Sequence, residues 1–196
     1  MPAGFTDFLT RPLAWVRNRR RWLTLLAALW FSPLAFPQAN APSTPQVLGP
    51  NEFRAAFLSK IPRFVTWPES AFGPGDTELV IALIEGESFA GLLEALLKDV
   101  RVADRPVVVR IIASLEDLPH CQILFVPAAR SDLLSTLPAN RRNGLLTVGE
   151  DPRFTRLGGV CNLSLADRKL TVNVRNARAA GLELQSRLLR IAEVER

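Results

Sequence analysis

Tyrosine is absent from this 196-residue chain, histidine occurs once and cysteine twice. That shortage removes most catalytic constellations before any fold is considered. A structural zinc site takes four nitrogen or sulfur ligands, more than His120, Cys121 and Cys161 supply. His120 and Cys121 adjoin, but neighbours at the start of a strand point to opposite faces, so a thiol–imidazole pair is not expected. The chain has no G-x-S-x-G, no G-x-x-x-x-G-K-S/T and no G-x-G-x-x-G. Gly158-Gly159 opens a strand-like run rather than a helix, so it lacks the donor cluster that cradles phosphate. The carboxylate pairs Glu85 with Glu87 and Glu150 with Asp151 read as turn residues in water. The expectation is a protein that is not an enzyme and uses no metal or cofactor. A hydrolase would instead show turnover that vanishes on replacing His120, the only imidazole.

Long apolar runs are also scarce. The longest, Trp22 to Phe36, is 15 residues and carries Pro33, short of the roughly 20 that a spanning helix needs. Arg17, Arg19, Arg20 and Arg21 precede it and Ala39-Asn40-Ala41 follows. A basic segment, a short greasy core and a small-x-small site predict a secretory leader over residues 1–41, cleaved after Ala41. Arg19-Arg20-Arg21-Trp22-Leu23 weakly fits a twin-arginine pattern, and the general secretory route is the default. The mature chain is therefore expected in the periplasm.

Loss of the leader changes the charge argument. The full chain has 24 basic and 19 acidic residues; removing five Arg and Asp7 leaves 19 against 18, a net of +1. The sequence pI near 10.2 belongs largely to the leader, and a basic footprint for nucleic acid or anionic lipid is missing from the rest. Residues 42–50 hold Pro42, Pro45 and Pro50 with Ser43 and Thr44 and read as a flexible spacer. Residues 51–196 have the size of one domain.

Within that domain Asn51 is expected to cap a helix from Glu52, with Phe53, Phe57, Ile61 and Phe64 on one face. The helix should kink at Pro62 and end at Trp67-Pro68. Leu79–Ile84, Pro106–Ile112, Gln122–Val126 and Leu145–Val148 are short, almost wholly apolar runs, as parallel strands covered on both faces are. A helix carrying Phe89, Leu92, Leu93, Leu96 and Leu97 follows the first of them, and Leu133, Leu134 and Leu137 suggest a short one before Pro138. Val160–Leu165 and Leu170–Val174 flank a polar turn and predict an antiparallel hairpin. Asn176 is expected to cap one closing helix with Leu182, Leu188, Leu189 and Ala192 inward. The fold class is α/β, a three-layer Rossmann-like sandwich with a mixed, mostly parallel sheet and a C-terminal hairpin plus helix. An oxidising compartment allows a Cys121–Cys161 bridge. If one strand separates them, however, their Cα atoms lie roughly 9–10 Å apart, beyond the ~7 Å limit, which favours two free buried thiols.

Several segments in order resemble the YfiR family of periplasmic regulators. Lys60-Ile61-Pro62-Arg63-Phe64-Val65-Thr66-Trp67-Pro68 is similar to its K-F/I-x-x-F-x-x-W-P signature. Arg105-Pro106 before a valine-rich strand and Cys121-Gln122-Ile123-Leu124-Phe125-Val126 resemble two further segments. Leu146-Thr147-Val148-Gly149, Phe154, Gly158-Gly159, Asn173, Ala180-Gly181-Leu182 and Ser186 with Leu188-Leu189 continue the match. The resemblance implies a homodimeric inhibitor of a membrane-bound diguanylate cyclase or related sensor protein. It would bind the periplasmic sensory domain, lower cyclic di-GMP and so restrain biofilm formation, and an outer-membrane lipoprotein would sequester it. The chain departs from the family at Cys161, usually aliphatic, at Gln185-Ser186, usually a double serine, and in having no cysteine in Leu79–Ile84. Trp67 is the first candidate partner-binding residue, because aromatic residues dominate interface hot spots, with Trp67 plugging the core beside Phe64 as the competing reading; Arg63 and Arg105 are further candidates, with a solvated arginine as theirs. A second hypothesis is a small-ligand sensor with a crevice at the carboxyl ends of the parallel strands, lined by Gly86, Pro127 and Gly149.

Overall fold

The computed structural model describes residues 48–195. The expected leader, its expected cleavage site after Ala41 and most of the expected spacer lie outside the described residues. A helix α1 (Pro50–Lys60) runs into a 3-10 turn, Ile61–Phe64, and a two-residue strand β1 (Val65–Thr66). Then come β2 (Leu79–Ile84), α2 (Glu87–Leu97), β3 (Arg101–Val102), β4 (Arg105–Ile112) and β5 (Ile123–Val126). The second half holds α3 (Leu133–Thr136), β6 (Leu146–Gly149), β7 (Cys161–Ser164) and β8 (Lys169–Asn173). It closes with α4 (Val174–Ala179), β9 (Glu183–Leu184), α5 (Ser186–Ile191) and β10 (Glu193–Glu195).

Eight strands form one mixed sheet in the order β10-β8-β7-β6-β5-β2-β4-β3, and β1 pairs with β9 in a separate two-stranded ladder. Five neighbouring pairs are parallel; only β7 with β8 and β3 with β4 are antiparallel. Both faces of the central strands are covered, and this is why their sequences read as unbroken apolar runs. Leu79, Ile81, Leu83, Ile123 and Phe125 join the core beneath α1 and α2, whereas Ala82, Ile84, Leu124 and Val126 join a second core with Leu134 and Phe154. Phe89 meets Phe125 edge to face at 5.2 Å between ring centroids. The expected α/β sandwich is the observed one.

Several local expectations are corrected. Gly49, not Asn51, caps the first helix, and Asn51 lies inside it, its amide reaching Ser88 O at 3.2 Å. The helix ends at Lys60 rather than kinking at Pro62, because Pro62 brings no amide hydrogen and its ring crowds the carbonyl one turn back. The chain beyond must also be extended to pair Val65 with Leu184 and Thr66 with Glu183. The single closing helix is two short ones. Asn173 caps the first by accepting from Asn176 N at 3.0 Å. A Schellman turn ends it, with Gly181 at φ 72° and bonds from Leu182 N to Ala177 O and Gly181 N to Arg178 O, both 2.9 Å.

The two cysteines, for which free buried thiols are favoured over a bridge, lie on opposite faces of the sheet. Both thiols are free, Cys161 in the core beneath α1 and α2 and Cys121 in the other. The sheet itself stands between them. Burial pushes both thiols up to about 12, so neither is a nucleophile at neutral pH.

Candidate functional site

The signature segment is folded into one wall of a surface groove of about 390 Å³. The 3-10 turn carries Pro62 and Arg63, β1 carries Val65 and Thr66, and Trp67 and Phe72 follow; Arg101, Val102 and Gln185 close the opposite side. Gln185 N donates to Phe64 O at 2.9 Å, so the ladder of β1 and β9 fixes the groove's width. Arg63 and Thr66 are exposed. Trp67 is half-buried against the core, and its Nε1 donates to Gln122 O at 3.3 Å. It is therefore both core plug and groove wall. Arg105 does not line the groove but stacks on a residue that does, its guanidinium 4.1 Å from the centroid of Phe72. Its Nε donates to Asp76 O at 3.3 Å.

Gln122 is the residue that sequence reasoning passed over. It is 1% exposed, accepts from Val80 N at 2.8 Å and donates to Ala71 O at 2.7 Å. Its main chain pairs with Val80 and Leu146. A buried amide bonded through both its oxygen and its nitrogen holds the Trp67 segment to the central strands. The available signal was a lone Gln inside Cys121–Val126, where both neighbours are apolar.

His120 is brought to Asp76 rather than to Cys121, Nδ1 to Oδ2 at 2.7 Å. The Gly73 amide and then His120 hold the Asp76 carboxyl below its ordinary value. The pair pins the turn before β2 to the start of β5. Among the described residues, no group of three or more His, Cys, Asp or Glu is placed to hold a metal, and no helix is long and apolar enough to cross a membrane.

At the carboxyl ends of the parallel strands the expected crevice is only partly as drawn. Glu85, at φ 51°, is ion-paired with Arg130 across the gap between β2 and β5. Gly86 caps α2, while Ala128 and Glu150, the residues after Pro127 and Gly149, line a cavity beside β7 and β8. Glu150 and Asp151 are not water-facing turn residues. The Glu150 side chain is 5% exposed and takes a bidentate bond from Arg54, at 2.6 and 3.0 Å. Asp151 accepts from Arg153 and from Ser131 Oγ at 2.9 Å, and the Arg153 guanidinium and amide lower its carboxyl to about 2.

The domain thus combines a mixed sheet covered on both faces, two buried thiols and a surface groove lined by arginines and aromatic rings. The chain belongs to the YfiR/HmsC-like family, whose model matches residues 51–193. That family points to a periplasmic regulator of cyclic di-GMP signalling that interacts with a sensor or cyclase protein. No curated protein matches the chain significantly.

Proposed function

We propose that the mature chain is a periplasmic inhibitor that binds the sensory domain of a membrane diguanylate cyclase and lowers cyclic di-GMP synthesis. The observation that carries this reading is the groove, where Arg63 and Arg101 flank the rings of Trp67 and Phe72 on a wall stiffened by Gln122. Arginines beside aromatic rings are the composition of interface hot spots, and they suit a partner surface carrying carboxylates. Inhibition needs no reactive group, only tighter binding to one conformational state of the target. A difference of about 3 kcal/mol shifts such an equilibrium by roughly 150-fold. Arg105, stacked behind Phe72, positions that ring for the partner. The inhibitor acts as a homodimer, and an outer-membrane lipoprotein relieves inhibition by sequestering it. Export follows cleavage after Ala41.

Deletion of the gene tests the reading: cellular cyclic di-GMP and surface attachment rise. Complementation with Arg63→Glu, at an exposed position that the fold does not use, fails to restore the low level although the variant accumulates in the periplasm. Unchanged cyclic di-GMP in the deletion strain refutes the proposal.

A further inference from the structure

The eight-stranded sheet ends at β10, which pairs with β8 and with no other strand among the described residues. The ladder bonds decide which way its main chain points. Asn173 N donates to Val160 O at 2.9 Å, so Asn173 and Thr171 turn their amides and carbonyls to β7, and Val172 turns its own to β10. In a parallel ladder Val172 then bonds Glu193 and Glu195, the two neighbours of its register partner Val194. The amide and carbonyl of Val194 therefore point away from the sheet. Val194 is 40% exposed. An open amide and carbonyl on an exposed edge are a template for one more strand.

Beside that edge lies a cleft of about 680 Å³, lined by Val174, Arg175 and Arg178 of α4, Leu189 of α5 and Val194 itself. Arg175 and Arg178 stand one turn apart on α4 and are exposed, and neither takes part in an ion pair among the described residues. No carboxylate lines the cleft. The two acids of β10 lie elsewhere: alternation puts Glu193 and Glu195 on the face opposite Val194, where Glu193 meets Lys169 at 2.7 Å. The open edge is thus flanked on the cleft side by unpaired cations and an apolar floor. An extended polypeptide carrying carboxylates matches all three features. Its main chain bonds Val194, an apolar side chain rests on Val174 and Leu189, and its acids meet the arginines. A second copy of this chain matches poorly. A two-fold pairing through Val194 sets Glu193 of each copy opposite Glu195 of the other, like charges face to face.

We infer that β10 is a docking edge for an acidic, extended segment of a partner protein, which adds as a further strand at Val194 and sets its carboxylates on Arg175 and Arg178. The cleft shares no lining residue with the groove at Trp67, so the inference stands apart from the inhibitor reading.

The test is fluorescence anisotropy of a labelled peptide, Glu-Ser-Val-Ser-Glu-Ser, titrated with the purified protein at fixed ionic strength. Alternate residues of a strand share a face, so its valine and both glutamates reach the cleft together. The acidic peptide binds, while the same peptide with lysine for glutamate, or with its backbone N-methylated, binds about tenfold more weakly or not at all. Arg178→Glu weakens the acidic peptide about tenfold and strengthens the lysine peptide. Val194→Pro removes only an outward amide, which an edge strand tolerates, and also weakens binding about tenfold. Should Val194→Pro fail to fold by circular dichroism, the N-methylated peptide decides in its place. No binding of the acidic peptide, equal binding of the lysine peptide, or indifference to both Val194→Pro and N-methylation overturns the assignment. Capture by phosphatidylglycerol vesicles without peptide binding gives the cleft to lipid, and loss of self-association in Val194→Pro gives the edge to a second copy; either result also overturns it. Cyclic di-GMP in the deletion strain is read separately, so the two readings fail separately.

Discussion

Replacing Gly149 with Ala should cost the fold about 3 kcal/mol, and the reason is one phenyl ring. Phe154 is fully buried. A Cβ at Gly149 would lie 2.2 Å from one edge of its ring, and a Cβ at Gly159 would lie 2.2 Å from the other. Neither glycine has the left-handed backbone that would strain alanine there, so the penalty is steric alone. Overpacking a core costs typically 1–3 kcal/mol. The upper end applies because the ring, pressed by β6 on one side and by its own returning loop on the other, has nowhere to retreat. Phe154 O also receives Gly159 N at 2.9 Å, which ties the loop shut. Urea unfolding of the purified protein, extrapolated linearly, measures the loss, and Tm falls by about 6–12 °C. The decisive variant is the double one. Phe154→Leu alone costs about 1 kcal/mol, but in that background Gly149→Ala should cost close to nothing, a coupling of about 3 kcal/mol. Equal costs of Gly149→Ala with Phe or Leu at position 154 refute the clamp.

Other expectations follow from the same packing. Gln122→Leu leaves Val80 N and Ala71 O unpaired in the interior and should destabilise by about 2–4 kcal/mol in the same urea assay; a loss below 1 kcal/mol removes its role as hub. A thiol-reactive chromophore should label neither Cys121 nor Cys161 in the native protein, and both after unfolding without reductant; finding no thiol in the unfolded, unreduced chain shows a bridge. Asp151, whose carboxyl is lowered from 3.8 to about 2, contributes stability that is present above its unfolded pKa and lost as pH falls from about 4 towards 2. Asp151→Asn should flatten that part of the stability profile, and an unchanged acid slope counts against the Arg153 and Ser131 contacts.

The central strands were legible because parallel strands covered on both faces have no room for polar side chains, so Leu79–Ile84 and Ile123–Val126 declare themselves. The hairpin was legible from its polar turn. The strands β1, β3, β9 and β10 were not, since two or three residues carry no period to read and their pairing comes from distant chain. The helix expected to continue to Trp67 failed for the same cause: its continuation lost to a ladder with residues more than a hundred positions away. At the groove, Trp67 and Arg63 were picked out by residue type, but Gln122, Phe72 and Arg101 were invisible because their roles arise only from juxtaposition. Glu150 and Asp151 misled for a related reason. Nothing local to an acidic dipeptide reveals that Arg54 will be delivered to it by another helix.

The ladder between Val65–Thr66 and Glu183–Leu184 also sets an order of events. A polypeptide emerging amino end first, from a ribosome or through a translocation pore, presents the Trp67 segment long before Gln185 exists to close it. The groove therefore closes last. Nascent or clipped chains lacking the final strands have no completed groove, so its closure marks that synthesis has run past Gln185.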